Sequence, residues 1–198
     1  PIDPRWLQLL CLSLVVMRCQ PLRRALANQG KSIKMYHKEL AELLSDIGEK
    51  IYEFQLTGYS FEEWFNWELY SKLKQAGYVV TPKPAIHTQY KSYADLLIND
   101  PIRKVDTFVE VKLIHDFTGN KWLPEIENDR KALQAIKMEN PSQGLQLLLI
   151  ASSHKDVLNH PYWKPWLEKL SFWSMEPNLR VESKYSLGSI IVMGWMLG

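Results

Sequence analysis

At 198 residues, 46% hydrophobic and 23% charged, the chain has the composition of an ordinary globular protein, which excludes a low-complexity, collagen-like or intrinsically disordered polymer. Its formal charge of +2 is too small to mark a nucleic-acid binder by itself. The charge is uneven, however: residues 1–40 hold seven Lys or Arg, Arg23 and Arg24 among them, against Asp3 and Glu39, a net +5 that leaves −3 for the rest and makes this segment a candidate phosphate-contacting arm.

Taken in chain order, the first predicted element is a helix over about 6–28, ending near Gly30. Its apolar run from Trp6 to Met17 spans about twelve residues, short of the roughly 20 that cross a bilayer, so no membrane partner is expected. Cys11 and Cys19 lie eight residues apart on it, about 12 Å along the axis, which excludes a bridge within the helix and points to a reducing, cytoplasmic setting. A second helix runs from Ser32 to about Leu56, with Tyr36, Leu40, Leu43, Leu44, Ile47 and Ile51 at helical spacing, and Gly58 stops it. Residues 1–58 thus form a helical N-terminal extension to a domain over 59–198. A third helix begins after Ser60, which can cap it with Glu63 at the capping-box position while Tyr59 staples onto Trp64, and it ends at Gly77.

Strand character follows in Tyr78–Thr81, Tyr93–Ile98, Thr107–Leu113 and Leu145–Ala151, with a helix over about Pro124–Met138 before the last of these. Trp163, Trp166, Leu170 and Trp173 recur at i, i+3, i+7 and i+10, the pattern of a core-facing helix over about 162–173 rather than of a base-stacking platform. Ser189–Met196 makes a final strand. The fold class is therefore α/β (α+β), a mixed sheet with helices packed against it.

In the strand Phe108-Val109-Glu110-Val111-Lys112-Leu113 the period of two places Glu110 and Lys112 on one face with Phe108. The preceding strand is apolar apart from Asp95, a carboxylate that burial makes costly unless paired or bound to metal. An Asp in one strand and a Glu-x-Lys in the next, flanked by helix and strand on either side, resembles the PD-(D/E)XK nuclease superfamily. The resemblance covers about residues 60–152 and lacks the Pro of the motif, since Tyr93-Ala94 precedes Asp95.

The resemblance implies a restriction-endonuclease-like fold and metal-dependent hydrolysis of phosphodiester bonds. Asp95, Glu110 and the Val111 carbonyl would hold Mg²⁺, with Mn²⁺ as a substitute, and Lys112 would orient or deprotonate water. Glu68, on the apolar face of the preceding helix, is the candidate further acid. Arg130 and Lys131, early in the helix after Glu-x-Lys, are placed to meet a phosphate, as are Arg23 and Arg24. The expected partner is nucleic acid, DNA before RNA, with a homodimer as one arrangement. A catalytically inactive nucleic-acid or protein-binding module, and the nuclease domain of a toxin or effector, are the alternatives.

Overall fold

The computed structural model describes residues 36–100, 104–136, 142–185 and 188–197, all within one unit, Tyr36–Gly198. The predicted helix over 6–28, with Cys11, Cys19, Arg23 and Arg24, lies outside the described residues. Helix α1 (residues 36–57) buries Tyr36, Leu40, Leu43, Leu44, Ile47 and Ile51, the stripe predicted from spacing. Helix α2 (Glu62–Gln75) buries Phe65, Asn66, Leu69 and Leu73. Together they cover one sheet face, where Tyr36, Leu40, Leu69 and Leu73 meet Ile98, Val109, Leu145 and Leu147.

The start of α2 differs from expectation. Its N-cap is Phe61, no side chain caps it, and Tyr59 stays exposed. Ser60 and Glu63 therefore form no capping box, and Trp64 packs edge-on against Phe54, 4.9 Å between ring centroids, instead of under Tyr59.

Six strands form one mixed sheet: β1 (Val79–Pro82), β2 (Leu96–Asp100), β3 (Val105–His115), β4 (Ser142–Ser152), β5 (Leu179–Lys184) and β6 (Ser189–Leu197), in the order β1-β2-β3-β4-β6-β5. Only the central β3–β4 pair is parallel, with Glu110 opposite Gln146, and helix α3 (Leu123–Gln134) lies in the crossover between them. The second face is covered by α3 and α4 (Trp163–Leu167), where Ile126, Trp163, Trp166 and Phe172 pack on Ile114, Leu148, Ile150, Ile191 and Trp195. The mixed sheet flanked by helices agrees with the predicted class.

The Trp-rich segment is core, as its spacing indicated, but α4 is shorter than the 162–173 span. After Leu167 the backbone tightens into three-residue turns, Leu170 N–H to Leu167 O and Trp173 N–H to Leu170 O. Strand β5 has no counterpart among the elements predicted from the sequence. No helix among the described residues is long and apolar enough to cross a membrane.

Candidate active site

The site lies where β2 and β3 part. Leu96 pairs with Val109, and just beyond that point the Asp95 N–H still donates to the Val109 carbonyl at 3.1 Å. Further along β3, Val111 and Leu113 point their backbone groups toward the same side, which β2 no longer covers. Carboxylates replace the missing strand: Val111 N–H donates to Asp95 Oδ2 at 2.9 Å, and Leu113 N–H to Glu62 Oε2 at 2.9 Å. Buried backbone donors need acceptors, so two acids are fixed at this edge by the need to finish a ladder.

Four acids and three lysines then interlock. Lys83 reaches Asp95 Oδ1 at 3.1 Å. Lys91 bridges Glu110 Oε2 at 2.6 Å and Asp129 Oδ1 at 3.0 Å. Lys112 bridges Glu62 Oε1 at 3.1 Å and Asp129 Oδ2 at 3.3 Å. Both Lys83 and Lys91 come from the segment between β1 and β2, folded back by an Ala85–Tyr93 bridge and a turn in which the Thr88 hydroxyl accepts the N–H groups of Tyr90 and Lys91.

The electrostatics are dominated by Glu110, which is 0% exposed. Burial first, then the negative charges of Asp95 and Asp129, push its carboxyl up to about 8, with Lys91 opposing. Among the described residues, Glu110 Oε1 is buried and accepts no hydrogen bond, and Asp129 Oδ2 has only its ion pair with Lys112. Lys112 behaves the other way: burial lowers its proton affinity, but Glu62, Asp129 and Asp95 outweigh that and hold it well above the ordinary lysine range. In this arrangement Lys112 is a firmly held ammonium, suited to stabilising negative charge and unsuited to proton abstraction, the second of the two roles the sequence reading gave it.

The structure brings Asp95, Glu110 and Lys112 together, with the Val111 carbonyl directed at the same edge. The acid supplied by α2 is Glu62, not Glu68. Glu68 is six residues on, rotated by roughly 240° and advanced by about 9 Å along the axis, away from the edge that Glu62 reaches. Arg130 is buried against the Phe172 ring, 4.4 Å from its centroid, and so does not sit as a surface phosphate contact, while Lys131 faces solvent. Sequence reasoning missed Glu62, Lys83, Lys91 and Asp129. Two of them carried a signal: Glu62 precedes the buried Phe65, Leu69 and Leu73 by three, seven and eleven residues, and Asp129 stands between Ile126 and Leu133 on the buried stripe of α3.

Among the described residues no three His, Cys, Asp or Glu side chains converge as a ready metal cage. The donor chemistry nonetheless suits a hard cation. Magnesium takes one or two carboxylates and keeps its waters, and the unpartnered Oε1 of Glu110 is a buried oxygen that lacks a positive partner. Asp95 is a poorer donor as it stands, since Lys83 and the Val111 N–H engage both of its oxygens. Comparison with known proteins finds no matching family model, no matching curated protein and no matching solved structure.

Proposed function

We propose that the chain is a metal-dependent nuclease of the PD-(D/E)XK type acting on DNA, with Asp95 and Glu110 as the carboxylates that hold Mg²⁺ and Lys112 as the ammonium beside them. The observation that carries this reading is a buried carboxyl, Glu110, raised to about 8 by its surroundings, with one oxygen that has no hydrogen-bond partner among the described residues, set beside a second acid and a firmly protonated lysine. Perturbed acids of this kind cluster at functional sites. Magnesium, when bound, would neutralise charge on the phosphoryl oxygens and lower the pKa of water.

The chain's own residues divide the remaining work. Lys112 places positive charge where negative charge develops in phosphodiester hydrolysis. Glu62 and Asp129 hold the Lys112 ammonium in place, and Asp95 locks the strand edge through the Val111 N–H. A second reading, a catalytically inactive binding module, draws on the fact that Lys83, Lys91 and Lys112 already pair every acid of the site. The two are separated by incubating the protein with supercoiled plasmid, linear duplex, single strands and RNA, with magnesium and with chelator. Magnesium-dependent cleavage of any of them supports the nuclease, and intact substrates throughout favour the binding module.

A further inference from the structure

The site leaves one buried charge unexplained. Arg130 is 6% exposed, yet among the described residues its guanidinium is held only by Gln146 Oε1 at 3.1 Å, Met175 Sδ at 3.5 Å and the face of Phe172. Two of its five N–H groups are thus engaged, one of them by sulfur, a weak acceptor. Among the described residues it has no carboxylate partner, and Glu127, whose charge reaches it, commits both oxygens to Ser171. A guanidinium largely withdrawn from water with no ion-pair partner in contact carries a desolvation cost that its two hydrogen bonds offset only in part.

Beside it lies a cavity of about 400 Å³ lined by Arg130, Leu133, Gln134, Gln143, Met175 and Leu197, among others. Met175 both touches the guanidinium and lines the cavity, so the charged end of Arg130 meets this space. The volume falls at the small end of ligand pockets, roughly 300–1,000 Å³, and its described walls combine the Arg130 cation with the polar Gln134 and Gln143 and the apolar Leu133, Met175 and Leu197, a composition that can orient an anionic head and hold a partly apolar body.

We propose that this cavity binds a phosphate monoester on a small, partly apolar body, either a mononucleotide or the phosphorylated end of a strand, with Arg130 as the anion's partner. A guanidinium offers parallel donors to phosphate oxygens. An internal phosphodiester continues on both sides and does not suit a buried cation at the wall of a small cavity, whereas a terminal phosphate does. The nucleotide identity rests on the proposed nuclease function, because Asp129 adjoins Arg130 and Gln146, which Arg130 binds, lies opposite Glu110. The oxyanion requirement does not rest on it.

The test is calorimetric titration of the full chain in chelator with adenosine 5′-monophosphate, adenosine, benzoate, and a short oligonucleotide bearing either a 5′-phosphate or a 5′-hydroxyl. The monophosphate should bind at least about ten-fold more tightly than adenosine or benzoate, the scale of charge-assisted hydrogen bonds. Arg130→Gln should abolish that preference. Gln134→Glu, which adds negative charge at an exposed residue of the cavity wall and leaves the packing of Arg130 intact, should do the same if the arginine variant fails to fold. A matching preference for the 5′-phosphate oligonucleotide assigns the strand end, and equal binding of the two oligonucleotides assigns the free nucleotide. Equal affinity for the monophosphate and adenosine, tighter binding of benzoate, or a preference that survives Gln134→Glu overturns the proposal. Such a failure leaves magnesium-dependent cleavage standing, and a chain that binds the monophosphate but cuts nothing keeps this site and loses the nuclease.

Discussion

Replacing Glu110 by Gln removes the ionisable proton while keeping the shape of a residue that is 0% exposed. The wild-type carboxyl is raised from 4.5 to about 8, by burial first and by Asp95 and Asp129 after it. Between those two pH values the unfolded chain has lost the proton and the folded chain still holds it, so stability falls as pH rises through this window and levels off above pH 8. At about 1.4 kcal/mol per tenfold change in proton affinity, the loss amounts to at most roughly 5 kcal/mol. Glu110→Gln has no such proton to retain. It should match wild type near pH 4.5 and exceed it by several kcal/mol at pH 8.5, read from urea unfolding at both pH values in chelator. Added magnesium should close the gap at pH 8.5 by stabilising wild type alone, because a cation supplies what Oε1 lacks. A Glu110→Gln protein that is less stable than wild type at pH 8.5, or parallel curves across the whole range, would refute the electrostatic picture of the site.

Other substitutions probe its surroundings. Glu62→Ala removes the acceptor of Leu113 N–H and a partner of Lys112, and should cost about 1–3 kcal/mol in chemical denaturation; Glu68→Ala should stay within about 0.5 kcal/mol. Lys91→Ala frees Glu110 Oε2 and Asp129 Oδ1 of an ammonium, so magnesium affinity measured by calorimetry should rise roughly ten-fold, as expected when a like charge leaves a cation site. Asp116 accepts hydrogen bonds from Gln55, Ser152 and Ser153; burial pushes its carboxyl up, but the bonds from Ser152 and Ser153 outweigh that and hold it low. Its contribution is therefore present above pH 3.8 and lost as pH falls below it, and Asp116→Ala should cost about 2–4 kcal/mol at neutral pH while flattening the acid limb of the stability curve.

Periodicity made most strands and the core helices readable, though not the order of strands in the sheet, because burial imposes it on apolar residues: Leu40 to Ile51 in α1 and Trp163 to Leu170 behave as their spacing requires. The same rule, applied to charged residues, would have found more of the site. Glu62 lies within the stripe formed by Phe65, Leu69 and Leu73, but a broad apolar face that includes Phe61 and Trp64 points to Glu68 instead. Asp129 and Arg130 share the stripe of Ile126 and Leu133, a position that marks both as buried, whereas the sequence reading leaves Asp129 out and makes Arg130 a phosphate contact. Strand β5 alternates Leu179 and Val181 inward with Arg180 and Glu182 outward, a period of two that only two apolar residues announce. Lys83 and Lys91 were not readable at all. They reach the acids through a folded-back loop whose path depends on Thr88 and the Ala85–Tyr93 bridge, and nothing in local spacing encodes that tertiary approach.

Single-turnover cleavage in magnesium is the most direct test of the central claim, run on whichever substrate wild type cuts best, with wild type beside Glu110→Gln and Lys112→Ala. The account predicts that wild type cleaves only when magnesium is present and that each variant is slower by about 10²-fold or more, the scale of losing an electrostatic stabiliser or an activating group. Lys112→Ala should keep its magnesium affinity while Glu110→Gln loses it. Wild-type protein that binds no divalent ion and cuts nothing, or variants that cut as fast as wild type, would contradict the assignment.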